Sequence, residues 1–292
     1  MDLPVSRFAC TQCGKCCNRS PEVELSEAAS LADTFVFRLM FRFYWLPEKL
    51  SDYLSLSRPE ADASAIFFEK KRLLRAFAAR RYPMRLWRSG KSVDYAKYLV
   101  ISALALDTGS GECDALGDNR CGVYDRRPLS CRSVPLHYSR AGSRAATDLK
   151  AFVETAGYRC DTSDAAPAIL DNGQIIALEI KAARDEALAV AQRDRPWSQA
   201  IVRRMKNRSS ADGVLPSLEE VEANAQAGAL TTSMRVGWRI AADAALIPPQ
   251  DCDRLVEVQL RTIVRALAHP TCSPEARQTL IEMQAEYRPF CP

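Results

Sequence analysis

A mainly α-helical protein is predicted, built as a small loop-rich cysteine module with short β-hairpins plus a helical region. Three observations lead there. Apolar residues recur at helical spacing over long stretches. Eight of the eleven cysteines fall between Cys10 and Cys160. Turn signals at Gly117-Asp118-Asn119 and Asn172-Gly173 mark short hairpins near those cysteines. The 292 residues, 47% apolar and 26% charged, suffice for one or two ordinary cores. The expected division is a cysteine module over residues 1–165, with a helical insertion at about 25–92, and a helical region over 166–292.

Taken in order, Leu25, Ala28, Ala29, Ala32, Phe35, Val36, Leu39, Met40 and Phe43 hold one face of a helix. Asp33, Arg38 and Arg42 interrupt that run well before the ~20 apolar residues of a membrane span, so no span is expected. A second helix is predicted from Ala61 to Arg80, ended by Pro83. Tyr98-Leu99-Val100-Ile101 is rich in strand formers and leads to a hairpin near Gly109-Ser110-Gly111. Asn172-Gly173 predicts a second hairpin. Beyond it, Ile180 to Asn207 reads as helix, broken at Pro196, and Ser217 with Glu220 forms a capping box opening a helix towards Leu246. Further helices are predicted from Asp251 to Ala268 and from Ser273-Pro274 onward.

A net charge of +4, from 40 Lys+Arg against 36 Asp+Glu, lacks the clustered basic footprint of a dedicated nucleic-acid binder, so none is expected as partner. The first residues carry neither the basic nor the apolar region of a secretory signal, which predicts a cytoplasmic protein. In that reducing compartment clustered thiols serve metal binding or redox chemistry rather than structural disulfides.

The centre of interest is Cys10-Thr11-Gln12-Cys13-Gly14-Lys15-Cys16-Cys17. Cys10/Cys13 and Cys13/Cys16 have the spacing of metal knuckles, in which two sulfurs converge on one ion or one cluster edge. The run Cys10, Cys13, Cys16, Ser20-Pro21 nearly reproduces a ferredoxin pattern, with serine in place of the fourth cysteine. The serine argues against a simple ferredoxin and leaves open a cluster whose fourth ligand comes from Cys113, Cys121, Cys131 or Cys160. With only His137 and His269 in the chain, any site must be mainly thiolate. His137 is a minor candidate ligand, and Cys252, Cys272 and Cys291 read as small core residues or free thiols.

These residues resemble the CxxCxxCC cysteine-cluster family of the YkgJ type, described as zinc- or iron-chelating domains. The resemblance rests on Phe8-x-Cys10-x2-Cys13-Gly14-x-Cys16-Cys17, on Cys113-x2-Leu116, on Cys121-x-Val123-Tyr124-x2-Arg127-Pro128-x2-Cys131-Arg132-x2-Pro135, and on Cys160. It implies a metal site made by Cys10, Cys13, Cys16, Cys17, Cys113, Cys121, Cys131 and Cys160, holding an iron–sulfur cluster, the favoured cofactor, or zinc. Tyr124, Arg127 and Arg132 are expected to support the ligands through hydrogen bonds. More distantly the cysteine arrangement is similar to that of flagellin lysine-N-methylase, which implies as an alternative an S-adenosylmethionine-dependent protein lysine N-methyltransferase. A protein or peptide partner is consistent with either reading.

Overall fold

Strands, not helix, carry the aromatic run after the first cysteines. The computed structural model describes residues 5–17, 20–56, 62–88, 90–108, 112–118, 120–207, 215–224 and 228–287. In chain order its elements are β1 (Ser6–Arg7), β2 (Glu22–Val23), α1 (Leu25–Leu31), β3 (Phe37–Pro47), α2 (Leu50–Leu56), α3 (Ala63–Phe77), β4 (Ala78–Arg88) and β5 (Lys91–Ala105). Then come β6 (Leu116–Gly117), β7 (Arg120–Cys121), α4 (Leu129–Arg132), α5 (Ala145–Val153), β8 (Ala168–Asp171), β9 (Gln174–Ile175) and α6 (Leu178–Lys206). The chain ends with α7 (Leu218–Asn224), β10 (Leu230–Ser233), α8 (Met234–Asp243), α9 (Pro249–Ala268) and α10 (Pro274–Tyr287).

The expectation of a mainly α protein with a small cysteine module is therefore corrected. This is a substantial α/β protein whose largest sheet has five strands in the order β10-β3-β5-β2, with β4 also paired to β5. The single helix expected over 25–43 is α1 followed by β3. Phe37, Leu39, Met40, Phe41, Phe43 and Leu46 are all buried, so β3 is covered on both faces. A strand covered on both faces shows no alternation, and its apolar run cannot be told from a buried helix by period. The second predicted helix stops at Phe77, where the Ala78 amide still bonds the Leu74 carbonyl, and β4 follows at once. Pro83 lies within β4 instead of ending a helix. Its missing N–H is tolerated because β4 pairs only with β5 among the described strands.

By chain contacts the protein divides into two units. The first comprises Met1–Cys16, Tyr44–Leu99 and Arg127–Gln192, and the second Cys17–Phe43, Val100–Arg126 and Arg193–Pro292. Strands β3 and β5 run through both.

In the second unit β10 pairs with β3 through Leu230↔Phe41 to Ser233↔Arg38, and β2 pairs with β5 through Val23↔Ala103. Helix α8 packs on β3 with Gly237 facing Leu39: a Cβ at Gly237 would lie 3.5 Å from the Leu39 Cδ1, an ordinary van der Waals contact. The Gly237 carbonyl accepts the Trp197 indole N–H at 2.8 Å. That buried anchor follows directly on Pro196, and α6 continues through the proline instead of breaking there. The expected capping box is present, with Ser217 and Glu220 exchanging hydrogen bonds, but it opens only the short α7; β10 intervenes before α8.

In the first unit β1, β8 and β9 form a three-stranded sheet, and the Asn172-Gly173 turn joins β8 to β9 as the sequence predicts. Both turn residues have positive φ, 47° and 75°, the conformation a two-residue hairpin needs. Phe8, Leu136, Leu149, Ile169, Leu170 and Ile180 pack together behind this sheet.

A charged cluster joins α3 to α6 in the same unit. Glu69 accepts hydrogen bonds from the Ser143 amide at 3.0 Å and the Ser143 hydroxyl at 3.1 Å, and pairs with Arg184 at 3.7 Å. Burial opposes ionisation of Glu69. The Ser143 and Gly142 amides, the Ser143 hydroxyl and Arg184 outweigh it and hold the carboxyl below its ordinary value of 4.5. A carboxyl depressed on folding adds stability that is fully present above its unfolded pKa and is lost as pH falls through the folded value. Glu69→Gln is thus expected to destabilise at pH about 7 and to do so less at pH about 4, where the unfolded chain's carboxyl has begun to take up its proton. Urea denaturation at both pH values tests this, and a pH-independent difference would refute it.

Candidate metal centre

Strand pairing brings the first cysteine loop to Cys160. After β1 the Phe8 amide bonds the Pro167 carbonyl at 3.1 Å. Ala9 and Asp161 then form an antiparallel bridge, exchanging hydrogen bonds of 2.8 and 3.1 Å. The Thr11 hydroxyl bonds the Arg159 carbonyl at 2.7 Å. With Ala9 opposite Asp161 and Thr11 tied to Arg159, Cys10 lies across from Cys160 although 150 residues separate them in sequence. The burial of Phe8 beside Ile169 and Leu170 is what fixes this register.

Past Cys10 the chain turns tightly. Gln12 and Gly14 have positive φ, 57° and 71°, which curls the backbone around the intervening Cys13. The Gln12 amide points back at the Cys10 Sγ, 3.4 Å away. The Lys15 amide does the same for Cys13, the largest of the influences that lower the Cys13 thiol pKa; the Arg159 amide and the Thr11 hydroxyl act in the same direction. In the second unit the Ala115 amide is aimed at the Cys113 sulfur in the same way. Three sulfurs thus each receive an N–H from the residue two positions on. Donors placed this way stabilise thiolate, the form that binds metal.

The structure brings four of the eight cysteines together in the first unit. Burial raises the Cys160 pKa most, and the neighbouring sulfurs of Cys16, Cys13 and Cys10 raise it further by like-charge repulsion. In the second unit the Cys113 amide bonds the Cys17 carbonyl at 2.8 Å. Cys121 lies on β7, paired across the β6–β7 hairpin with Leu116. Burial raises the Cys113 pKa, with smaller contributions from Asp114 and Cys121. Cys17, Cys113 and Cys121 therefore form a second group within that unit. Cys131 belongs to the first unit, on α4, and is half-buried. Among the described residues none of the eight is joined in a disulfide. Among the described residues no three Cys, His, Asp or Glu side chains are already arranged to hold an ion. It is the backbone that is set for convergence, through the bridge and the turns.

The donor chemistry fits a soft metal or an iron–sulfur cluster, since the ligating atoms gathered are all sulfur. Neither histidine adds to them. His137 Nδ1 is 2.9 Å from the Ser139 hydroxyl and the ring stacks on Tyr138 at 4.5 Å; His269 follows α9, with Nδ1 2.8 Å from the Thr271 hydroxyl. Cys252 and Cys272 are buried core residues, as expected, and Cys291 lies outside the described residues.

The expected supporting residues are distributed differently. Arg132 donates to Glu186 on α6 at 2.8 Å, which fixes the segment carrying Cys131. Tyr124, in a 3-10 turn, is 48% exposed, and Arg127 is half-buried. Arg126 holds Asp33 through both guanidinium nitrogens, at 3.0 and 3.2 Å, and also bonds the Ser30 carbonyl. The supporting groups that sequence reading missed are the amides of Gln12, Lys15 and Ala115. Their only signal was Gly14 and the two-residue spacers, because backbone donors leave no side-chain signature.

No helix among the described residues is long and apolar enough to cross a membrane. No protein family, curated protein or solved structure matches the chain.

Proposed function

We propose that this protein binds metal through thiolates, with Cys10, Cys13, Cys16 and Cys160 as one four-sulfur site and Cys17, Cys113 and Cys121 as sulfur donors of the second unit. The single observation that carries the reading is the Ala9–Asp161 bridge, which sets a distant fourth cysteine opposite a knuckle whose sulfurs already receive amide hydrogen bonds. An iron–sulfur cluster is favoured over zinc. Cys10, Cys13 and Cys16 keep the spacing of a ferredoxin run, and Cys160 supplies the ligand that Ser20 cannot. Such a cluster would supply one-electron redox chemistry or a structural staple, with the amides of Gln12 and Lys15 tuning the charge on its ligands. The expected compartment is the cytoplasm, and the expected partner is a protein or peptide.

Anaerobic purification with iron, zinc and acid-labile sulfide analysis tests this reading. The expected protein is brown, contains iron and labile sulfide in comparable amounts, and is bleached by dithionite. A colourless protein that holds zinc alone under strict anaerobiosis would sink the cluster and leave a thiolate zinc site. Absence of any stoichiometric metal would sink both.

A further inference from the structure

A cavity of about 240 Å³ opens in the first unit between α3 and α6, closed at one end by β9 and the Gly142 turn. Its charges are unequally committed. Glu69 is neutralised from four directions, by the Ser143 amide and hydroxyl, the Gly142 amide and Arg184. Arg184 in turn spends its donors on the carbonyls of His137 at 2.9 Å and Arg140 at 2.7 Å. These two groups are structural. They pin the Gly142 turn and the segment before it onto α6.

Two cations in the same lining are not spent in this way. Arg72, from α3, has a side chain 59% exposed and reaches Glu69 only at 4.0 Å. Lys181, from α6, is exposed, and among the described residues its ammonium makes no hydrogen bond or ion pair. The remaining carboxylate, Asp185, stands one helical turn from Lys181 without pairing to it. Three cations against two carboxylates leave the lining with an excess of one positive charge. Leu73, Ile175 and Leu188 supply apolar wall between the charged groups.

We propose that this cleft binds a small organic anion: a carboxylate or phosphate head group held by Lys181 and Arg72, on a short apolar body lying against Leu73, Ile175 and Leu188. Cations on facing helices can grip one anionic group from two sides, which a cation pair on a single helix cannot do. The size sets the rest, because sites for drug-sized ligands run from about 300 Å³ upward. Asp185 disfavours a body that carries further negative charge near α6.

The test uses the full chain at low ionic strength, with benzoate, phenyl phosphate and benzamide as probes and saturation-transfer NMR titration as readout. At least one of the two anions is expected to bind saturably, and the neutral benzamide about tenfold or more weakly. Preference between benzoate and phenyl phosphate identifies the head group, and either preference supports the site. Lys181→Gln and Arg72→Gln are each expected to weaken the preferred anion about tenfold, with Lys181→Arg restoring most of the affinity. Both are exposed side chains, and unchanged thermal unfolding would show that the variants fold. The proposal is overturned if neither anion binds saturably, if benzamide binds as well as the preferred anion, or if the Arg72→Gln, Lys181→Gln double variant keeps its affinity.

Discussion

Replacing Cys160 with serine is expected to remove as much bound iron as replacing Cys13, although the two residues lie in segments remote in sequence. The expectation follows from the register: Ala9 forms an isolated antiparallel bridge with Asp161, so Cys10 and Cys160 lie opposite each other just beyond it. Serine keeps the volume and loses the soft thiolate, so the fold stays while the fourth ligand goes. A site deprived of one of four ligands usually loses its cluster entirely rather than a quarter of it. Ser163 serves as control, because its amide bonds the Asp161 carboxylate nearby without any sulfur being involved; Ser163→Ala should keep wild-type iron. Cys121→Ser removes a donor of the second unit and is expected to reduce metal independently, so that the double variant with Cys160→Ser loses more than either alone. Iron and sulfide per chain after anaerobic purification measure all of these. Full occupancy in Cys160→Ser would refute the four-sulfur assignment.

How far the sequence exposed this arrangement depends on the range of each interaction. Local signals were legible: the Asn172-Gly173 hairpin, the Ser217/Glu220 capping box and the helices after Pro248-Pro249 and Ser273-Pro274 all form where turn and cap chemistry puts them. Of the main sheet, β5 was legible in the strand formers Tyr98 to Ile101, the hairpin expected near Gly109-Ser110-Gly111 lies outside the described residues, and β3 and β4 were not legible. Strand β3 reads as helix because both its faces are covered, so Leu39, Met40 and Phe41 are buried in succession and the period of two disappears. Strand β4 keeps that period, with Arg81, Pro83, Arg85 and Trp87 exposed and Tyr82, Met84 and Leu86 more covered, yet its start abuts α3 without a turn residue and its proline mimics a helix stop. For the candidate site, spacing was enough to single out the cysteines but not to sort them. Which cysteine segments are brought side by side follows from Phe8 entering a core with Ile169 and Leu170, a contact between segments that carry no mutual signature.

The largest loss of stability from a single polar substitution is expected at Gln259, on α9 in the second unit, whose side chain is fully buried. Its carboxamide oxygen accepts the Phe37 amide at 2.9 Å, and its nitrogen donates to the Phe35 carbonyl at 2.8 Å and the Ala32 carbonyl at 3.2 Å. One side chain thus bonds three backbone atoms of the segment joining α1 to β3. Gln259→Ala leaves the Phe37 N–H and the Phe35 C=O buried and unpaired, at about 1–3 kcal/mol each, and opens a cavity besides. A total of about 3–5 kcal/mol is expected, a large share of the ~5–15 kcal/mol that holds a typical domain together. Thr262→Val is the graded comparison. Its hydroxyl also bonds the Ala32 carbonyl, at 2.8 Å, but that carbonyl keeps the Gln259 donor, so only about 1 kcal/mol should be lost. Urea denaturation followed by tryptophan fluorescence suits the test, because Trp238 is buried in the same unit. A Gln259→Ala midpoint no lower than that of Thr262→Val would show that β3 is held by its sheet alone. The expected order, with Gln259→Ala well below Thr262→Val, would mean that the strand misread as helix owes its start to a glutamine more than two hundred residues away.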